Sequence, residues 1–432
     1  MQTILSRRSL LQLSALAAMS RRQAKAASPR LSRAVRPGRT ESTGSAPLQT
    51  NGLFMHAWDL KDSGADTVMA WMRDSGLNQM TIAGCYHSGW FVHPHSPRRA
   101  YMTEGSVAYF HPDKKIFRGS PIKPILASFA KDTNWLAVAG KLLDKYQLQM
   151  VSWTIGTHNT HLAQKYPEYA QQNVFGDVIP HALSVGHDAT RAYLKALCRD
   201  LAVNYPMYGV QLESFGWMGL RHGHHHERDL TALSPLEQEL LAMCFNPETV
   251  RKAKAAGVDA DRAREVVKVT LEAAFKEAPD RPKGHPASMS ELESRSSDLK
   301  AYNRFRQELE DSIIVEIKQE ALKGTSCRML LQGGYQKEVA HVADGFASGV
   351  YGKLPAEVLK IVAQGRARIP ADWKGDYPCF VRLGMGVPAS QEQLREIVVA
   401  LKNGGSTGPI FYNYSESPAK MLGWIKGALD GL

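Results

Sequence analysis

The stretch Tyr208-Gly209-Val210-Gln211-Leu212-Glu213-Ser214-Phe215-Gly216-Trp217 ends an apolar run on a carboxylate and then turns aromatic. A glutamate at the end of a strand, partly buried among rings, suits a general acid. Burial disfavours its charged form, so it holds a proton near neutral pH and can deliver it to a leaving oxygen. Just beyond lies Arg221-His222-Gly223-His224-His225-His226-Glu227-Arg228. Neutral imidazoles bind divalent metals, but a helix-borne zinc motif sets two histidines four apart on one face with a third ligand elsewhere. His222 and His226 have that separation with Gly223 between them in a loop-like context. The loop therefore reads first as substrate contact through His224, His225, His226 and Glu227, or as a tuner of Glu213. A metal-dependent hydrolase or lyase using the His222 to Glu227 loop is the alternative, and the leading reading needs no metal and no cofactor.

Cleaving a glycosidic bond takes a second carboxylate facing the first. Asp59 at the end of the first strand, Asp344 just before the sixth, Glu227 in the His loop and Glu416 after the eighth are the candidates, with Asp344 or Asp59 preferred. Asp59 also fits a cap on the turn that follows it. The seventh strand, Phe380-Val381-Arg382-Leu383-Gly384-Met385, supplies no acid. Aromatics gather at strand ends: Trp58, Tyr86, Trp90, Trp153, Trp217, Tyr335, Tyr351, Tyr412 and Tyr414. Flat rings with polar rims suit the faces of sugars. Of these, Trp90, Trp153, Trp217, Tyr412 and Tyr414 are candidate substrate contacts. His87, His158 and Asn159 could bond sugar hydroxyls, and Arg382 could pair with a carboxylate on a substrate or on Glu213. The His-x-His pair of amidohydrolase-type metal barrels is missing from the first strand, Met55-His56-Ala57-Trp58.

The elements that must hold these residues follow from short apolar runs alternating with amphipathic stretches. Strands are expected at 52–59, 79–86, 149–157, 208–214, 327–332, 345–351, 379–384 and 409–414. Helical patterns follow most of them, at 65–75, 133–146, 189–204, 356–364, 391–403 and 418–429. Eightfold strand and helix alternation, with strands apolar on both faces, implies an α/β fold, a (β/α)8 TIM barrel. No glycine-rich phosphate loop follows the first strand, which argues against a dinucleotide-binding open sheet. Two insertions interrupt the repeat: a long irregular one between the second strand and its helix, at 87–125, and a helical one after the fourth strand, at about 216–324. Both fall on the face where barrel active sites are built.

The net charge of +11 invites a nucleic-acid partner, but its distribution removes that reading. Residues 1–50 carry nine basic groups (Arg7, Arg8, Arg21, Arg22, Lys25, Arg30, Arg33, Arg36, Arg39) against Glu41, leaving the other 382 residues nearly neutral. Arg7-Arg8 directly precedes a short apolar run that ends near Met19, followed by the small-x-small site Ala24-Lys25-Ala26. This is the form of a twin-arginine export signal over 1–26, so the twin-arginine translocase is an expected partner and the periplasm or exterior the expected location. The apolar run is too short to anchor in a membrane. Residues 27–50, rich in Ser, Pro, Gly and Arg, read as a disordered linker, and 51–432 as the barrel domain. Five cysteines without paired spacing read as buried free thiols.

Beyond the local patterns, Val151-Ser152-Trp153-Thr154, His158-Asn159-Thr160-His161-Leu162, Tyr166-Pro167-Glu168, Asn173-Val174-Phe175-Gly176-Asp177 and Arg191-Ala192-Tyr193-Leu194 lead into the Gln211-Leu212-Glu213 strand and His224-His225-His226-Glu227, with Tyr86-His87-Ser88-Gly89, Tyr109-Phe110 and Phe411-Tyr412-Asn413-Tyr414 on either side. Together they resemble bacterial glycoside-hydrolase-like TIM-barrel proteins over about residues 51–430. The resemblance implies a barrel, a carbohydrate substrate and Glu213 as the acid of the fourth strand. Retaining glycosidases of the large TIM-barrel clan also place a nucleophilic glutamate after the seventh strand, and this sequence lacks it. Inversion, another nucleophile, or a non-catalytic carbohydrate-binding barrel therefore stay open.

Overall fold

The computed structural model describes residues 48–221 and 230–432. Eight parallel strands form a closed ring: β1 (Gly52–Met55), β2 (Gln79–Tyr86), β3 (Gln149–Ile155), β4 (Gly209–Glu213), β5 (Arg328–Gln332), β6 (Gly345–Gly349), β7 (Pro378–Arg382) and β8 (Gly408–Tyr412). Each pairs with its sequence neighbours, and β1 closes the ring by pairing with both β2 and β8. The chain is an α/β barrel of the TIM type, and each expected strand overlaps an observed one. The reason is visible in β2, whose eight residues are all buried. A strand walled by side chains inside and helices outside is apolar on both faces and stands out in the sequence.

Inside the barrel the side chains meet in layers. The Phe54 ring of β1 lies 4.9 Å from Trp153 of β3, 4.9 Å from Phe380 of β7 and 5.4 Å from Tyr412 of β8. Strand residues two apart share a face, so Arg382 stands one step above Phe380 toward the C-terminal mouth. At Gly84 in β2 a Cβ would come within 2.4 Å of Ser152 Oγ on β3, so only glycine permits that approach.

The outer helices start and stop on local chemistry. Ser390 caps the helix Gln391–Asn403 by accepting from Gln393 N–H. Expected single helices at 133–146 and 418–429 are each split, into Trp135–Gly140 with Leu143–Tyr146, and Ala419–Leu422 with Trp424–Leu429. Gly423 sits at the second break. Between β5 and β6 the chain returns as an irregular segment, with Val339 and Ala340 buried in place of a helix. All five cysteines are buried and free.

The connection after β4 carries the helices Pro235–Ala242, Pro247–Ala255, Ala260–Glu277, Met289–Arg295 and Ser297–Glu316. They enclose a small core of their own that includes Leu240, Phe245, Val267, Leu271 and Tyr302. Ser234 and Glu237 form a reciprocal cap at the first of them. Arg191, on the helix Asp188–Asn204 that leads into β4, ties these helices to the barrel. Its guanidinium donates to Leu309 O at 3.0 Å, Ser312 Oγ at 2.7 Å and Glu316 at 2.5 Å. The expected export signal and all but the last residues of the expected linker lie outside the described residues, as do His222, His224, His225, His226 and Glu227. No helix among the described residues is long and apolar enough to cross a membrane.

Candidate active site

Glu213 closes β4 and, with Gln211 two residues before it, faces the barrel interior. The next residue, Ser214, takes the left-handed conformation at φ 54°, an uncommon state for a residue with a Cβ. Pairing between β3 and β4 continues beyond the strands and holds this turn. Gly156 N–H donates to Glu213 O at 3.0 Å and Thr157 N–H to Ser214 O at 2.6 Å. The Thr157 hydroxyl reaches Ser214 O and Gly216 O, both at 2.7 Å. A Cβ on Gly156 would strike the Phe215 ring at 2.7 Å and Ser214 O at 2.8 Å, so the loops meet this closely only with glycine there.

The carboxylate is held as firmly as its backbone. Trp153 Nε1 donates to Glu213 Oε2 at 2.6 Å. The Gln332 side chain, ending β5, gives a second hydrogen bond, and its own carbonyl accepts from Gln211 Nε2 at 3.3 Å. Burial pushes the Glu213 carboxyl above the usual glutamate range, and the two donors only partly oppose it.

Around Glu213 stand Trp153, Tyr86, Tyr351 and Tyr412. The Trp153 ring lies 4.5 Å from Tyr86 and 5.8 Å from Tyr412, and Tyr351 is 5.9 Å from Tyr412. The Tyr86 and Tyr412 hydroxyls are hydrogen-bonded to each other. A second carboxylate, Glu416, shares this mouth: its charge and that of Glu213 both push up the Tyr86, Tyr351 and Tyr412 hydroxyls. Asn413 Nδ2 donates to Glu416 Oε1 at 2.5 Å, and Glu416 N–H returns to Asn413 Oδ1 at 2.9 Å. Burial raises the Glu416 carboxyl too, but the Asn413 donor and the Arg382 charge pull it back. The two carboxyls differ in what opposes burial: neutral donors alone at Glu213, a donor and the Arg382 cation at Glu416.

Neither acid preferred from sequence as a partner of Glu213 stands open beside it: one is at the other end of the barrel and the other is sealed. Asp344 precedes β6 and so lies at the N-terminal end of the barrel, opposite the strand-terminal Glu213. It is bound to Lys318 Nζ at 2.5 Å and to Met329 N–H at 2.7 Å. A cavity of about 570 Å³ lined by Arg328, Tyr335, Asp344 and Trp373 is there, apart from Glu213. Asp59 lies after β1 but is sealed, with 2% exposure, and accepts His56 N–H at 2.9 Å as the cap of the helix Ala57–Ser63.

Burial pushes the Asp59 carboxyl up to about 8, far above the roughly 3.9 of an unfolded aspartate. A group raised on folding contributes stability that is complete below about pH 4 and lost as pH rises through about 8. Asp59→Asn keeps an oxygen for His56 N–H. Its melting temperature is expected to run parallel to that of the wild type below about pH 4 and to gain on it steadily from there to about pH 8; parallel Tm profiles across the whole range would refute the assignment.

Several expected substrate contacts are employed in structure. Asn159 caps the helix Thr160–Lys165, accepting from Leu162 N–H at 2.9 Å. Trp217 donates to Arg306 O at 3.0 Å, with the Arg306 guanidinium 4.9 Å over its ring, so it packs on the helical insertion. Tyr414 leans on Trp71 at 5.6 Å and His95 at 5.1 Å, outside the ring of residues around Glu213. Trp153 is buried and orients Glu213 rather than offering an open face.

His87 stacks between Tyr86 at 4.3 Å and the buried His158 at 4.4 Å, on the rim of the mouth. Trp90, 65% exposed, sits on the hairpin formed by Trp90–Val92 and Ala100–Met102. Tyr412 and Arg382 are in the mouth itself. Gln332 escaped sequence reasoning, although Leu330-Leu331-Gln332 repeats the pattern of a polar residue ending an apolar strand that singles out Glu213. Among the described residues no three His, Cys, Asp or Glu side chains stand close enough to hold a metal ion.

Among solved structures, α-L-fucosidase isoenzyme 2 from Paenibacillus thiaminolyticus aligns with 84% of this chain at a TM-score of 0.50 and 10% identity. The likeness is one of fold. The chain spans 45% of the fucosidase's length. The PgaB (BpsB) glycoside hydrolase domain from Bordetella bronchiseptica aligns with 87% of this chain and 96% of its own, at a TM-score of 0.44 and 11% identity. The α-galactosidase AgaA from Geobacillus stearothermophilus aligns with 88% of this chain and 41% of its own, at a TM-score of 0.42 and 10% identity. No protein-family model and no curated protein matches the sequence.

Proposed function

We propose that this protein is a glycoside hydrolase working at the C-terminal mouth of its barrel. The observation that carries the reading is Glu213: a buried carboxyl with a raised pKa, fixed by Trp153 and Gln332 beneath a wall of tyrosines. A carboxyl shifted in that direction keeps its proton to higher pH than a free glutamate, and it donates that proton to the glycosidic oxygen as the bond breaks. Glu416, raised by burial but with Asn413 and Arg382 favouring its charged form, is the opposing carboxylate: it stabilises the positive charge that develops at the anomeric carbon and takes the proton of the water that adds there. Tyr351 and Tyr412 supply rings and hydroxyls for the sugar, and the buried Tyr86 backs Tyr412 through its hydroxyl. The fold shared with the fucosidase supports a barrel able to host this chemistry, and the substrate assignment rests on the mouth. The paired Arg7-Arg8 ahead of an apolar run supports export by the twin-arginine route, which fractionation of expressing cells reads directly.

The testing experiment is turnover of a panel of glycosides by the wild type and by Glu213→Gln, with cleavage by the wild type alone as the expected outcome. The pH profile adds a finer check. The Trp153 N–H favours the charged carboxylate, so Trp153→Phe lets Glu213 keep its proton to higher pH. The alkaline limb of kcat/KM is then expected to move upward; a limb that stays or moves down would take the proton away from Glu213.

A further inference from the structure

We propose that Arg382 binds a carboxylate on the sugar held beside Glu213, so that the substrate is a glycan containing a uronic acid. The inference rests on the glycosidase reading above and adds the class of sugar.

Arg382 ends β7 on the inner face, above Phe380, whose ring meets Phe54 at the barrel axis. The guanidinium lies 4.7 Å over the Tyr351 ring. Its one hydrogen bond among the described residues is from Nη1 to Met385 Sδ at 3.5 Å, and a thioether is a weak acceptor. Met385 is 87% exposed. It follows Gly384 at φ 136°, has φ 57° itself, and precedes Gly386 at φ 90°, so the loop turns sharply directly after the strand.

Neither carboxylate of the mouth claims the cation. Glu213 is taken by Trp153 and Gln332, Glu416 is taken by Asn413, and no acidic oxygen of a described residue lies within 4.0 Å of Arg382. Other partly buried cations of this barrel are paired: Arg328 with Asp376, and Lys318 with Asp344. Of the two partners that sequence left open for Arg382, a substrate carboxylate and Glu213, the geometry leaves the first. A ring face fixes the plane of a guanidinium without neutralising it, and the planar fork of N–H donors at its edge matches a carboxylate in two parallel hydrogen bonds. Glu416 and Tyr412 also feel this charge, which places it at the wall where a sugar next to Glu213 would lie.

The test is titration calorimetry of the full chain with glucuronate, galacturonate and mannuronate, each against its parent hexose, and with glucose 6-sulfate. At least one uronate is expected to bind tenfold or more tighter than its hexose. That ratio should fall toward one in Arg382→Gln and be partly kept in Arg382→Lys. Hexoses binding as well as uronates, a sulfate preferred to every uronate, no uronate binding at all, or equal weakening of acid and hexose in Arg382→Gln would each overturn the proposal. An acid limb of kcat/KM that moves upward in Arg382→Gln with selectivity unchanged would also overturn it, since Arg382 would then serve Glu416 alone. Glu213-dependent cleavage of neutral glycosides without uronate preference would remove this inference and leave the glycosidase reading standing. Uronate preference without Glu213-dependent cleavage of any glycoside would do the reverse.

Discussion

Glu213→Gln is expected to lower kcat on a cleaved glycoside by about 10²–10⁴-fold with KM changed only a few-fold. Glutamine has nearly the same shape and keeps an oxygen for Trp153 Nε1, so the mouth stays intact while the transferable proton is gone. The loss should depend on the leaving group. A dinitrophenyl glycoside departs without much protonic help, so it should be cleaved almost as fast by the variant as by the wild type. An alkyl glycoside should lose the full factor. The alkaline limb of the pH profile, where Glu213 gives up its proton, should vanish with the carboxyl. Equal losses for both leaving groups would mean that the variant damages binding or folding, and undiminished turnover would mean that another group is the acid.

The second large effect is assigned to Glu416. Glu416→Gln should reduce kcat by about 10²-fold or more, because the carboxylate facing the developing cation is lost. Asp59→Asn and Asp344→Asn should stay within a few-fold of the wild type. Glu416 works ionised, so activity should climb with pH as it loses its proton, and this acid limb should be missing in the variant. The comparison is sharp because the three acids occupy such different places. Asp344 is salt-bridged at the far end of the barrel, Asp59 is sealed under its own helix cap, and Glu416 shares three tyrosines with Glu213. A larger loss at Asp59 or Asp344 than at Glu416 would reverse the assignment.

The barrel was legible because its strands are buried on both sides, and runs such as Gln79–Tyr86 have nothing in the chain to be confused with. Glu213 was legible for a related reason: a charge at the end of such a run has no solvated face to occupy and must sit at the mouth. Chain direction alone could have excluded Asp344, since a residue before a parallel strand belongs to the opposite end of the barrel from one after it. Asp59 and Asn159 mislead because a helix cap and a ligand contact use the same polar residues at the same strand-to-helix junctions. Trp217 was beyond sequence reading, because what covers it is Arg306, some ninety positions later on an inserted helix. Gln332 and Glu416 matter through side-chain partners, Glu213 and Asn413, that only the folded arrangement brings together.

The interlocked turns after β3 and β4, with Gly156 and Thr157 gripping the backbone from Glu213 to Gly216, also bear on how such a barrel can diversify. The acid's coordinates are inherited from folding and do not wait for a ligand. On the proposed glycosidase function, descendants of this chain could trade one glycan for another by rewriting the long connections after β2 and β4, at little risk to Glu213. A side chain larger than hydrogen at position 156 would instead push the acid itself out of place, so the reaction should be harder to change by drift than the choice of sugar.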